Sequence, residues 1–175
     1  MEWHITNDII VRKLTIADAR GIFTTVNANR NYLREWLPWL DFNTSVVDSR
    51  NFIREAIQGY EDGSSLHLGI WNSLDNTYIG VCGFHTIRDG VAKFGYWLDS
   101  AWQGKGIIHK TCALLLDHIF ATTDVHEVII QAATSNVRSR VIAEKLGFEL
   151  KEVLHDAEWL YDHYVDHVIY SKRKN

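Results

Sequence analysis

Apolar and polar positions along this chain switch between a period of two and a period near 3.6, and the switches mark out an α/β order. Residues 5–14 read as a first strand. Thr15-Ile16-Ala17-Asp18 has the form of a capping box and opens a helix to about residue 30. A short helical segment over residues 31–37 is stopped by Pro38, the only proline. A longer helix is predicted over residues 47–60, ending at Gly63. Three strands in a meander follow, at about residues 65–71, 77–87 and 91–98. They are separated by Ser73-Leu74-Asp75-Asn76 and by the hairpin dipeptide Asp89-Gly90. In the third, Ala92, Phe94, Tyr96 and Leu98 alternate with Lys93, Gly95 and Trp97, which gives one inner face.

Beyond residue 106 the period lengthens. Ile108, Cys112, Leu115, Leu116, Ile119 and Phe120 share one stripe at helical spacing. Val128-Ile129-Ile130 is apolar on both faces, as a strand covered by helices should be. Asn136 caps or begins a further helix that ends at Leu146-Gly147, with glycine in the usual C-terminal place. Two last strands, at about residues 148–160 and 164–171, are joined by a turn around Asp162-His163. No repeat, linker or low-complexity stretch interrupts the order. The pattern predicts an α/β (α+β) fold, a mixed sheet flanked by helices.

Composition narrows this picture. A chain of 175 residues fits one domain, 1–175, and 46% apolar residues with seven Trp supply a large core. A net charge of −4, with no basic run longer than Lys172-Arg173-Lys174, argues against nucleic-acid binding. There is no charged-then-apolar leader and no run of about 18 apolar residues, so a cytoplasmic protein without membrane contact is expected. Cys82 and Cys112 are the only cysteines, far apart in sequence and each within a predicted element. That suits a reducing compartment and argues against a disulfide framework or a thiolate metal site. His155, His163 and His167 crowd the tail, but His163 and His167 find no obvious third ligand, so no metal is expected.

The candidate chemistry centres on Trp97-Leu98-Asp99-Ser100-Ala101-Trp102-Gln103-Gly104-Lys105-Gly106-Ile107-Ile108-His109. Here an apolar strand runs into a glycine-rich turn that opens directly into an amphipathic helix. First-turn amides lack intrahelical acceptors and carry the positive end of the helix dipole, so they can hold phosphate oxygens. Gly104 and Gly106 have no side chain to keep a ligand away from those amides. A turn placed for purely conformational reasons is the ordinary alternative.

Gln103-x-x-Gly106 after a strand resembles the acetyl-CoA pyrophosphate loop of the GNAT superfamily of N-acetyltransferases, Gln/Arg-x-x-Gly-x-Gly/Ala. Asn136-x-x-Ser139 followed by Glu144-Lys145-Leu146-Gly147-Phe148 resembles that superfamily's second cofactor motif. Leu33-Arg34-Glu35-Trp36-Leu37-Pro38-Trp39-Leu40-Asp41 and Ala157-Glu158-Trp159 narrow the resemblance to the ribosomal-protein branch, which modifies α-amino groups. The four segments occur in the family's order and span nearly the whole chain. Ile108 stands where the superfamily often has Gly or Ala, which is expected to crowd the last amide.

The resemblance implies a single, mostly antiparallel sheet in which two parallel strands, residues 91–98 and 127–134, splay to form the acetyl-CoA cleft. Backbone groups of Tyr96, Trp97 and Leu98 would pair with the pantetheine arm, and an N–H among them would face the developing oxyanion. Gln103, Gly104, Lys105, Gly106, Ile107, Ile108 and His109 would hold the pyrophosphate, and Asn136 would orient the arm. Helix capping is an equally ordinary task for Asn136, and solvent exposure for His109. By resemblance Glu158 is the general base. Its place between apolar Ala157 and Trp159 is a weaker, independent reason, because desolvation there would raise its pKa toward neutrality; an outward-facing strand carboxylate is the ordinary alternative. Ser139 is the candidate proton donor to the coenzyme A thiolate, with a first-turn helix position as its ordinary role. Cys112 lies on the buried stripe, which argues against an acetyl-cysteine route.

Trp36, Trp39 and Asp41, with Trp159 and the closing hairpin, would form an aromatic-acidic wall for a cationic amine. Core packing and a homodimer interface are the alternatives there. The sequence is thus read as an acetyl-CoA-dependent N-acetyltransferase acting on a peptide or protein N-terminus by direct attack. Two alternatives stand beside it: an acetyltransferase for a small amine such as a polyamine, aminoglycoside or amino acid, and a non-catalytic acetyl-CoA sensor or interaction module.

Overall fold

Eight strands form one sheet in the computed structural model, which describes residues 1–174. They are β1 (Glu2–His4), β2 (Ile9–Lys13), β3 (Leu66–Asn72), β4 (Thr77–Arg88), β5 (Val91–Leu98), β6 (Glu127–Ala133), β7 (Glu149–Leu160) and β8 (His163–Arg173). Their spatial order is β1-β2-β3-β4-β5-β6-β8-β7. Every neighbouring pair is antiparallel except β5 and β6, which run parallel. Five α-helices accompany the sheet: α1 (Ala19–Ala28), α2 (Arg30–Arg34), α3 (Val46–Asp62), α4 (Ile107–Thr122) and α5 (Val137–Lys145). No helix among the described residues is long and apolar enough to cross a membrane.

The apolar pattern divides between the two sheet faces. One core cluster joins Ile108, Cys112, Leu115, Leu116 and Ile119 of α4 to Phe84, Phe94, Val128 and Ile130. The other joins Ile22 and Val26 of α1, Leu33 of α2 and Ile53 of α3 to Trp71, Tyr78, Val81 and Trp97. Residues 91–98 therefore have more than one inner face, because Trp97 is buried on the side opposite Phe94. Burying a side chain such as Leu115 stabilises the fold by about 1.5–3 kcal/mol, so the α4 stripe fixes where that helix begins.

Three local departures have identifiable causes. The expected strand over residues 5–14 is a hairpin of β1 and β2, with Trp3 opposite Val11. The Asp8 amide donates to Thr6 Oγ1 (3.4 Å) and the Ile5 amide to the Ile9 carbonyl (2.8 Å), which turns the chain at Thr6-Asn7-Asp8. The expected helix to residue 30 stops at Ala28, because Asn29 leaves helical geometry and donates its side-chain amide to the Thr25 carbonyl (3.0 Å). The final turn falls on Tyr161 and Asp162, one residue earlier than expected, with Tyr161 in the left-handed region (φ +63°). The box at Thr15 forms as read, with the Thr15 amide donating to Asp18 Oδ2 (2.8 Å). Bidentate contacts from Arg12 (2.9 and 2.8 Å) hold the same carboxylate.

Candidate active site

The parallel pairing of β5 with β6 runs from Val91 opposite Glu127 to Phe94 opposite Ile130 and then stops. Beyond it β5 stays paired with β4, Cys82 opposite Tyr96 and Gly80 opposite Leu98, while β6 stays paired with β8 as far as Ala133 opposite His167. The two strands therefore part into a V. Alternate backbone groups of residues 95–98 face away from β4 into it, without a strand partner. The Trp97 side chain is buried against Tyr78 (ring centroids 5.8 Å), so only its backbone is available to the cleft.

The glycine turn stands at the open end of β5. The Asp99 carboxylate accepts from the Ala101 amide (2.8 Å), and Asn29 Oδ1 accepts from the Ser100 amide (3.0 Å), tying the turn to α1. Gln103 folds back, donating from Nε2 to the Leu98 carbonyl (3.2 Å) and accepting Arg138 Nη1 at Oε1 (2.5 Å). Gly104 and Gly106 both adopt positive φ (+76° and +72°), and a Cβ at either would project into open space. The amides of Gly104, Lys105 and Gly106 find no acceptor among the described residues, and the first-turn amides of α4 have none within the helix. Ile107 and Ile108 send their side chains into the core, so Ile108 does not crowd the last amide as its size suggested. Lys105 lies over the Trp102 ring (4.4 Å), and His109 is half-buried in the first turn. Open amides, the exposed cationic side chains of Lys105 and Arg138 and space where a Cβ would stand fit a pyrophosphate.

Across the V, Asn136 caps α5 by accepting the Ser139 amide at Oδ1 (3.2 Å), so its capping role is realised and only its NH2 group remains for a ligand. The Tyr96 hydroxyl lies 3.1 Å from both the Ser139 Oγ and the Ser139 carbonyl. Burial pushes the Tyr96 hydroxyl well above its usual pKa, so it stays protonated. Tyr96 and Ser139 thus meet across the cleft.

Glu158 is placed by an irregularity in β7. Leu154 lies opposite His167 and Glu158 opposite Val165, so β7 carries two extra residues over this interval. Asp156, at φ +48°, donates its amide to Asp166 Oδ1 (2.9 Å), and His155 Nδ1 meets Asp166 Oδ2 (2.9 Å). The bulge sets the Glu158 carboxylate, 30% exposed, with Oε2 3.5 Å from His167 Nε2.

The acceptor-side residues form a strapped unit. Arg30 donates to the carbonyls of Leu40 (2.7 Å) and Asn43 (2.6 Å), which fixes the segment carrying Trp36 and Trp39. Both tryptophans are half-buried, and Trp39 packs against the second core cluster. Arg34 grips both oxygens of Asp41 (3.2 and 3.0 Å) and lies over the Tyr161 ring (3.6 Å), and Tyr161 donates to the Leu37 carbonyl (2.5 Å). The last hairpin is thereby tied to the tryptophan segment. The Arg34 hydrogen bond holds the Asp41 carboxyl below the usual range, so Asp41 is neither a free acidic wall nor a good base. Trp159 is 53% exposed and packs edge-on against Tyr164 (4.9 Å).

Sequence reading passed over Arg138, the Tyr96 hydroxyl, Gln131 and the contacts of His167 with Gln131 and Glu158. Its one available signal for His167 was a histidine beside apolar Val168 on an interior strand. His155, His163 and His167 each face a separate carboxylate, and no cluster among the described residues groups enough donors for a metal. Cys82 and Cys112, distant in sequence, touch in the core (Sγ to Sγ 3.6 Å) as free thiols.

Comparison with known proteins agrees with this geometry. The family model "Acetyltransferase (GNAT) domain" matches residues 8–149. The chain is 28% identical to the ribosomal-protein-serine acetyltransferase of Escherichia coli K12 over 155 residues, covering 87% of this chain and 86% of that protein. It is 30% identical to the probable N-acetyltransferase YjcK of Bacillus subtilis over 144 residues, 80% of each chain. The solved structure of RimL, a ribosomal L7/L12 α-N-protein acetyltransferase in complex with coenzyme A, shares the fold with a TM-score of 0.94 at 24% identity. That match covers 99% of this chain and 98% of RimL. The microcin C7 self-immunity acetyltransferase MccE, solved with acetyl-CoA and AMP, gives a TM-score of 0.91 at 26% identity over 97% and 94%. The family model, which spans well over half of the chain, places it in the GNAT family of N-acetyltransferases, and the splayed parallel pair with its glycine turn accords with that membership.

Proposed function

We infer that the whole chain works as one acetyltransferase domain that moves an acetyl group from acetyl-CoA to the α-amino group of a protein N-terminus, by direct attack in a ternary complex. The observation that supports the cofactor site most is the end of β5–β6 pairing at Phe94 and Ile130, directly before a turn of unclaimed amides. The open edge of residues 95–98 would bind the pantetheine arm as a strand is bound, with the turn amides, Lys105 and Arg138 on the phosphates. Acetyl-CoA supplies the thioester.

The amine must arrive neutral, and Glu158 would take its proton, directly or through water. A backbone N–H of residues 96–98 would face the negative charge growing on the carbonyl oxygen. Ser139, with the Tyr96 hydroxyl beside it, would return a proton to the departing sulfur. No protein nucleophile is needed. Burial, then contact with Cys82, pushes the Cys112 thiol well above its usual pKa, so Cys112 offers no ready thiolate.

The ribosomal-protein acetyltransferases among the relatives support an N-terminal acceptor. The likeness to MccE, an acetyltransferase described by microcin C7 self-immunity and not by a ribosomal protein, supports a second reading, in which the acceptor is a small amine. Thiol release from acetyl-CoA separates them on a panel of free-N-terminus peptides, N-terminally blocked peptides with free lysines, and small amines. The free-N-terminus peptides are expected to turn over fastest. An α-amine titrates near ~8, so about a tenth is neutral at pH 7, whereas a lysine near ~10.4 is neutral in under about one part in a thousand. Equal rates for blocked peptides, or faster rates for a small amine, would overturn the N-terminal reading.

A further inference from the structure

We propose that His167 is a positioning residue for Glu158, held by Gln131, so that a line from Gln131 through His167 to Glu158 orients the base; this rests on Glu158 being the base. His167 is 7% exposed in β8, opposite Ala133 of β6 on one side and Leu154 of β7 on the other. Its Nδ1 lies 2.6 Å from Gln131 Nε2 and its Nε2 3.5 Å from Glu158 Oε2. An amide nitrogen donates and does not accept, so Gln131 donates to Nδ1 and the neutral ring carries its proton on Nε2. That tautomer follows from the orientation of the Gln131 amide, whose nitrogen faces the ring.

The protonated nitrogen of the ring is therefore the one nearest Glu158, with Oε2 3.5 Å away. At 3.5 Å the contact is longer than a hydrogen bond; in the working complex Nε2–H would close on Oε2 and leave Oε1 to receive the amine's proton. The bulge serves the same end. Without its two extra residues Asp156 would lie opposite Val165, and Glu158 would move toward the hairpin turn, away from the ring. Glu158 lies on an outer strand of the sheet, where little else restrains a flexible carboxylate side chain. The charged groups about the ring are Glu158 from β7 and Asp166 on its own strand; β6 contributes the neutral Gln131.

The test is steady-state kinetics with acetyl-CoA and the fastest amine of the panel, on His167→Ala, His167→Gln, Glu158→Gln and the Glu158→Gln/His167→Ala double variant. His167→Ala is expected to lower kcat by about 10–100-fold, the scale of a misplaced catalytic group, with the KM for acetyl-CoA unchanged. His167→Gln, whose amide N–H can stand in for Nε2–H, is expected to restore most of kcat. In the Glu158→Gln background, His167→Ala should cost no more than about twofold, because its target is gone. Normal kcat in His167→Ala beside an inactive Glu158→Gln protein overturns the proposal and leaves the base standing. So do equal losses in the Ala and Gln variants, losses that multiply in the double variant, or a kcat loss matching the unfolded fraction in a thermal melt. Near-normal turnover in Glu158→Gln removes the base itself and the proposal with it.

Discussion

Glu158→Gln is expected to lower kcat by about 10²–10⁴-fold at pH 7, the usual contribution of a positioned general base. Gln keeps the length of Glu, and its amide oxygen can still accept from His167 Nε2, so the bulge and the packing of β7 on β8 should survive. What disappears is the capacity to take a proton. The deficit should shrink as pH rises toward the amine's own titration, because a growing fraction of the acceptor arrives neutral. Ser139→Ala should cost less, since a thiolate is a tolerable leaving group near neutral pH and Tyr96 remains beside the site. Acetyl-CoA affinity should change little in either variant. Turnover by Glu158→Gln within a few-fold of normal would make Glu158 an ordinary strand carboxylate.

The second large effect is expected at the cradle. Gly106 sits at φ +72° with open space where a Cβ would stand, so a side chain there would enter the space over the turn amides that the proposed site gives to the phosphates. Valine would also strain the backbone, since a β-branched residue is disfavoured at positive φ. Loss of binding by Gly106→Val would then mix two causes. Asn accepts the left-handed conformation far more readily, so Gly106→Asn keeps the turn and obstructs only the amides. Losing two charge-assisted hydrogen bonds at about 1.5–3 kcal/mol each weakens acetyl-CoA binding on the order of 10²-fold or more. Titration calorimetry on a variant with a normal thermal melt measures this. Unchanged affinity in folded Gly106→Asn would move the phosphates elsewhere.

What the sequence disclosed and what it hid follow from how local each feature is. The glycine turn, the α4 stripe and the Asp89-Gly90 hairpin are written within a few consecutive residues, and each forms where it was expected. The Thr6-Asn7-Asp8 turn was equally local, but the apolar run from Ile9 masked it. Asp41 was legible as an acid beside aromatics; its capture by Arg34, seven positions earlier, depends on a short 3-10 turn at Leu40–Phe42 that side-chain spacing does not announce. Glu158 came forward by resemblance. His167 could not, because its meeting with Glu158 depends on a two-residue bulge in β7 and on the register of three strands. Such a contact belongs to the sheet and to no stretch of sequence. The Tyr96–Ser139 contact is of the same kind, joining two residues 43 positions apart across the cleft.

Mass spectrometry of protein N-termini from cells with and without this protein tests the central claim most directly, because it asks which amine is acetylated without choosing the acceptor beforehand. The account predicts that a small set of N-termini loses acetylation when the protein is absent, and regains it with the normal chain but not with Glu158→Gln. An N-terminal profile unchanged by removal of the protein, beside acetylated small amines that vanish with it, would contradict the account.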